Sequence, residues 1–181
     1  MSLLAKAKKE GQIQHITPQS AGWKYIGFDV WMLKKGQTVT LESGDRELCL
    51  VLVAGFERTP PWSVYVPPQD KVEVTADSDL ELAVCSAPGK GTLPARVISP
   101  QDVGVEHRGK GRNQRLVHNI LPDSAQADCL LVVEVYTEEG ATSSWPSHKH
   151  DTALPGQETQ LEETYYHRFD PPQGFAFQRV Y

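Results

Sequence analysis

The stretch "ELCLVLVAGF", residues 47–56, decides the fold class. Its apolar residues run almost unbroken from Leu48 to Ala54, and "ERTPP" closes them off. A run of this length, without polar alternation, reads as a strand buried on both faces. In a two-sheet barrel it would be an inner strand, covered on its outside by another layer or domain.

The neighbouring segments follow the same grammar. "WKYIGFDVWML" (23–33) ends at the turn "KKGQ", and "TVTLES" (38–43) ends at "GDR". "WSVYVP", "KVEVTA" and "LELAVCSA" follow in quick succession, and helical periodicity is hard to find. Many short β-branched and aromatic runs between Gly, Pro and Asp turns predict an all-β antiparallel sandwich or barrel, not alternating βαβ units. A Gly/Pro-rich seam, "SAPGKGTLPA" (86–95), leads into a connector over 95–120. A second β-rich block opens at "CLLVVEVYTEEG" (129–140). Two blocks of similar grammar suggest a duplicated small barrel, divided as 1–115 (first barrel with its connector) and 116–181 (second). The last run reaches Tyr181 in the middle of a strand-like pattern, so the second barrel is expected to be incomplete in this chain.

With 181 residues and a net charge of −5, the chain is not built around a nucleic-acid surface. Its one basic cluster, "HRGKGRNQR" (107–115), is Gly-rich and reads as a solvated loop, with an anion or substrate contact as the alternative. Cys49, Cys85 and Cys129 are far apart, form no CxxC pair and sit in apolar runs. Buried reduced thiols in a reducing cytosol are expected. "MSLLAKAKKEG" has no secretory apolar region and no later stretch approaches a membrane span, so no membrane partner and a cytoplasmic location are expected.

"SSWPSHKHD" (143–151) raises the chemical question. On an extended strand His148 and His150 point to one side and Lys149 away, so two imidazoles can share one target. Pro146 fixes the entry to this strand, and Asp151 is placed to orient an imidazole. Downstream, "LEETYYHRF" supplies Glu162 and Glu163, then Tyr165, Tyr166 and His167. Two imidazole nitrogens and one carboxylate suit a divalent metal with positions left open for a substrate oxygen. Glu162 and Glu163 face opposite sides of a strand, and parity alone does not choose between them.

The set "HKHD", "EETYYHR" and "PPQGFAFQRVY" closely resembles the 5-deoxyglucuronate isomerases of myo-inositol catabolism. These are grouped with the 4-deoxy-L-threo-5-hexosulose-uronate ketol-isomerases among two-domain cupins. "RLVHNILP" (115–122) and "GWKYIGFDVWML" carry the likeness across nearly the whole chain. The resemblance implies a bicupin whose C-terminal barrel holds zinc, manganese or iron through the two histidines of the HxH, a glutamate and a later histidine. The first three map to His148, His150 and Glu162, with Glu163 the close alternative. The fourth has no counterpart, because His167 sits too near the glutamates to act as a ligand from a separate strand; the chain therefore reads as a truncated version of the family.

The implied reaction converts 5-deoxy-D-glucuronate to 5-dehydro-2-deoxy-D-gluconate through an enediol-like intermediate. The metal would meet the developing oxyanion, and the base would be the non-ligating glutamate (Glu163), Tyr165 or Tyr166. Arg179, beside Gln178, is the candidate for the substrate carboxylate, since a guanidinium binds it in a fork. His118 in "VHNI" either contributes to the substrate pocket or makes a structural hydrogen bond between domains. The small-molecule uronate is the expected partner, and the resemblance is compatible with a homo-oligomer. A sugar-binding cupin without catalysis, a catalytically incomplete fragment of the isomerase and a metal oxygenase are the competing readings.

Overall fold

The computed structural model describes residues 4–53, 58–144 and 147–179. Eleven strands account for nearly all of its regular structure: β1 (Gly11–Ile16), β2 (Gly27–Leu33), β3 (Thr38–Glu42), β4 (Arg46–Val53), β5 (Ser63–Val66), β6 (Lys71–Thr75), β7 (Leu80–Pro88), β8 (Arg96–Ile98), β9 (Gly104–Arg108), β10 (Arg115–Leu121) and β11 (Val132–Thr137). A single four-residue helix, α1 (Pro18–Ala21), is capped by Thr17, whose hydroxyl accepts from the Ser20 amide while Ser20 answers the Thr17 amide.

Three sheets result, ordered β1-β2-β7-β4-β5-β8, β3-β6 and β11-β10-β9. All pairings are antiparallel. The fold is all-β as expected; among the described residues the sheets stay open and do not close into a barrel.

β4 explains the architecture. Leu48 and Leu50 lie in one core, formed with Val39, Val66 and Leu82, where the β3-β6 ribbon covers the large sheet. Cys49 and Val51 lie in a second core with Phe28, Val30, Ile120, Leu121 and Val132, on the side of β10 and β11. The unbroken apolar run is therefore covered on both faces, by different layers. Residues 54–56, which complete the quoted stretch, lie outside the described residues. The 115/116 division falls at the start of β10, whose neighbour β9 belongs to the preceding part of the chain.

The basic cluster forms the link between β9 and β10, with a short 3-10 turn at Gly111–Asn113. Gly109 is required there: its φ is +83°, and a Cβ would stand 1.9 Å from the Asn113 carbonyl oxygen. The three cysteines are free, but only Cys49 is buried as expected, and Cys85 is half-buried. Cys49 and Cys85 are cross-strand neighbours, and burial pushes the Cys85 thiol up to about 12. Cys129 is exposed, because it lies in the loop that leads into β11 rather than in a strand.

The acid that opens "ELCLVLVAGF" has an unexpected role. Glu47 is fully buried, and its carboxylate accepts from the amides of Asp128 (2.8 Å), Cys129 (2.7 Å) and Leu130 (2.7 Å) and from the Tyr65 hydroxyl (2.7 Å). A buried carboxylate must be satisfied in this way or neutralised. The result is a clasp that binds the entry of β11 to β4. No helix among the described residues is long and apolar enough to cross a membrane.

Candidate active site

His148 and His150 lie outside any strand, and so do residues 161–169. This corrects the expectation of two strands. Their backbone groups find only isolated partners: Leu161 donates to the His150 carbonyl (3.1 Å), and Leu154 and Glu158 form a single bridge at the turn. The chain from 150 to 161 thus folds back on itself and brings "HKH" beside "LEE". Glu158 stabilises the reversal by accepting from the amides of Asp151 (2.9 Å) and Thr152 (3.1 Å).

Alternation survives without the ladder. The rings of His148 and His150 approach edge to face with centroids 5.3 Å apart. His150 Nδ1 donates to the Thr159 carbonyl at 2.8 Å, which leaves the lone pair on Nε2. That nitrogen lies 3.7 Å from Glu163 Oε1. The orienting role expected of Asp151 belongs instead to the Thr159 carbonyl, because the Asp151 carboxylate stands 3.8 Å from Lys149 Nζ. Pro146 lies outside the described residues.

The 162–168 segment divides its side chains strictly by parity, and its burial alternates with them. Glu162, Tyr166 and Arg168 turn toward the first block. Glu162 Oε1 accepts from the Lys24 amide (2.7 Å), and Oε2 accepts from those of Tyr25 (2.8 Å) and Ile26 (3.0 Å). The Tyr166 hydroxyl donates to Glu81 Oε1 (2.8 Å) with its ring 5.8 Å from that of Phe28, and Arg168 Nε meets Glu81 Oε2 at 3.1 Å. Glu163, Tyr165 and His167 take the other face. Tyr165 donates to Glu163 Oε2 at 2.8 Å and stacks on His167, and His167 Nε2 meets Gln178 Oε1 at 2.9 Å.

The electrostatics follow this division. Burial acts to raise the Glu162 carboxyl, but the amides of Lys24, Ile26 and Tyr25 outweigh it and hold the group below the usual carboxylate range. Burial, then the bond to Glu163, pushes the Tyr165 phenol up to about 12. Tyr166 is pushed up by burial and by Glu81.

Several expected roles change with this geometry. Glu162 has both oxygens occupied by backbone amides, so Glu163 is the carboxylate that faces the histidines. Tyr166 is bonded away from them. His118 is 0 % exposed and bonds Glu134, within its own block, through Nδ1 at 2.8 Å, and its Nε2 is buried without a hydrogen-bond partner among the described residues. Gln178 reaches the face through His167, and Arg179 follows it on an exposed segment.

Among the described residues no three His, Cys, Asp or Glu side chains gather tightly enough to cage a metal ion. In donor chemistry the pair and Glu163 still fit one: two imidazoles and a carboxylate, with the His150 Nε2 lone pair set toward the carboxylate by a backbone carbonyl. Two cavities of about 390 and 360 Å³ are lined by neither the histidines nor Glu163.

Glu47, Glu81 and Thr159 escaped sequence reading. Only Glu47 left a signal: a lone acid at the head of an apolar strand has to be paired. The partners of the other two become apparent only in three dimensions.

A family model described as the KduI/IolB family matches residues 3–181. A 5-deoxy-glucuronate isomerase of Geobacillus thermodenitrificans (strain NG80-2) is 53% identical over 193 residues, which cover 96% of this chain and 70% of the relative. One from Bacillus subtilis (strain 168) is 43% identical, over 93% of this chain and 70% of its own length. A crystal structure of an IolB-like protein from Salmonella typhimurium LT2 superimposes with a TM-score of 0.95 at 64% identity, and covers 97% of this chain and 74% of that one.

Proposed function

The chain belongs to the KduI/IolB family and is an isomerase, and from that premise we propose that it converts 5-deoxy-D-glucuronate to 5-dehydro-2-deoxy-D-gluconate with the help of a divalent metal ion. The observation that carries the metal site is the approach of His150 Nε2 to Glu163 Oε1 beside the His148 ring. His148, His150 and Glu163 would hold zinc, manganese or iron, as nitrogen and oxygen donors of this mix do. An ion held there would supply Lewis-acid stabilisation of the oxyanion that develops as the carbonyl shifts to the adjacent carbon.

The reaction shifts one hydrogen from the hydroxyl-bearing carbon to the adjacent aldehyde carbon and one from oxygen to oxygen, so no atom is gained or lost. Tyr165, whose hydroxyl donates to Glu163 Oε2 at 2.8 Å, would exchange that bond for one to the substrate oxygen and serve as its proton donor. His167 is the imidazole stacked on it. With Nε2–H given to Gln178, its Nδ1 lone pair is the group suited to carry the proton between carbons. Arg179, next to Gln178, is the cation proposed for the carboxylate end of the uronate.

Proton NMR of the uronate with purified protein tests the reading. We expect turnover with added metal ion, loss of turnover with chelator, and at least a 100-fold loss in Tyr165→Phe. Undiminished turnover by His148→Ala in metal-stripped buffer would contradict it.

A further inference from the structure

We propose that Glu162 is the positioning residue of the site: through the amides of Lys24, Tyr25 and Ile26, it makes the first block aim Glu163 at the histidines. The inference rests on the ligand set His148, His150 and Glu163 proposed above.

No ladder orients residues 161–169, so something else must set which way each side chain faces. Burial alternates from residue to residue over 162–168, so a slip of one residue would exchange the two faces and turn Glu163 away from His150. Two anchors prevent the slip. At one end, Glu162 spans three successive amides at 2.7–3.0 Å. At the other, Glu81 holds Tyr166 and Arg168. Glu163 and Tyr165 lie between them on the opposite face, and Glu163 is 40 % exposed, so packing alone does not fix it.

The amides that Glu162 grips lead directly into β2, which pairs with β1 on one side and β7 on the other. The rigid sheet of the first block is therefore one residue away from the proposed ligand. Glu47 provides an internal control. It makes the same three-amide clasp in the opposite direction, from the first block to 128–130, but its neighbour is Leu48, a core residue without chemistry.

Visible-absorption titration of the metal-stripped chain with Co2+, alongside thermal melting, tests the inference. Glu162→Ala is expected to weaken Co2+ binding at least 10-fold and alter its spectrum, as loss of a supporting partner does. Glu162→Gln, whose single oxygen still accepts, is expected to fall between Glu162→Ala and the parent chain, and it answers the question if Glu162→Ala does not fold. Glu47→Gln, or Tyr65→Phe if that variant does not fold, is expected to melt earlier with Co2+ affinity within twofold of the parent. Parent-like Co2+ affinity and spectrum in Glu162→Ala and Glu162→Gln overturn the positioning role. So does a control that loses as much affinity as Glu162→Ala. Parent-like binding by His148→Ala and Glu163→Ala instead removes the ligand set itself.

Discussion

β4 and the 161–169 segment make an instructive pair. The second residue of each is a glutamate that grips three successive amides of the other block, Glu47 those of 128–130 and Glu162 those of 24–26. Beyond that shared device they diverge. β4 is laddered to β5 and β7 and apolar on both faces. The 161–169 segment has no ladder; one face makes the anchoring contacts and the other carries Glu163, Tyr165 and His167. The side chains proposed to react lie where neither core nor sheet makes demands on them, and on the proposed reading anchoring a single face aims the other.

That contrast can be broken from either side. Glu47→Ala leaves three amides and a phenol without their acceptor and should cost about 3–5 kcal/mol, read as an early denaturant midpoint. A loss below about 1 kcal/mol would show that water replaces the clasp. Leu50→Ala, at a position 2 % exposed, should cost about 2–4 kcal/mol by emptying the core beneath β3 and β6. Tyr166→Phe removes one hydrogen bond to Glu81 and should cost about 1 kcal/mol. His148→Ala, at an exposed position, should move the midpoint by no more than about 0.5 kcal/mol. If it destabilised the fold as Leu50→Ala does, the division of labour between the two regions would be wrong.

The same contrast explains what could be read in advance. The strands of the first block follow from local chemistry: β-branched runs, turn residues, and in β4 an apolar stretch too continuous to have a wet face. The resemblance carried by "HKHD" and "EETYYHR" brought the two histidines and a glutamate to one place. Parity separated Glu162 from Glu163, but the choice depended on amides 138 residues away, which no local pattern reveals. The same limit applies to Tyr166 and to His118, whose partners, Glu81 and Glu134, decide that one faces away from the histidines and the other is buried. The expected strands at 148–150 and 161–169 failed for a related reason. Alternation describes extended backbone, and only a neighbour with matching hydrogen bonds turns it into sheet.

The central claim is that Glu163, with His148 and His150, forms the working end of an isomerase. Turnover of the uronate by the metal-stripped chain, followed by proton NMR as metal ion is added back, tests it most directly. The account predicts that turnover rises with metal in the parent chain and stays at background in Glu163→Ala at every concentration. Metal-restored turnover of parental size in Glu163→Ala would contradict it.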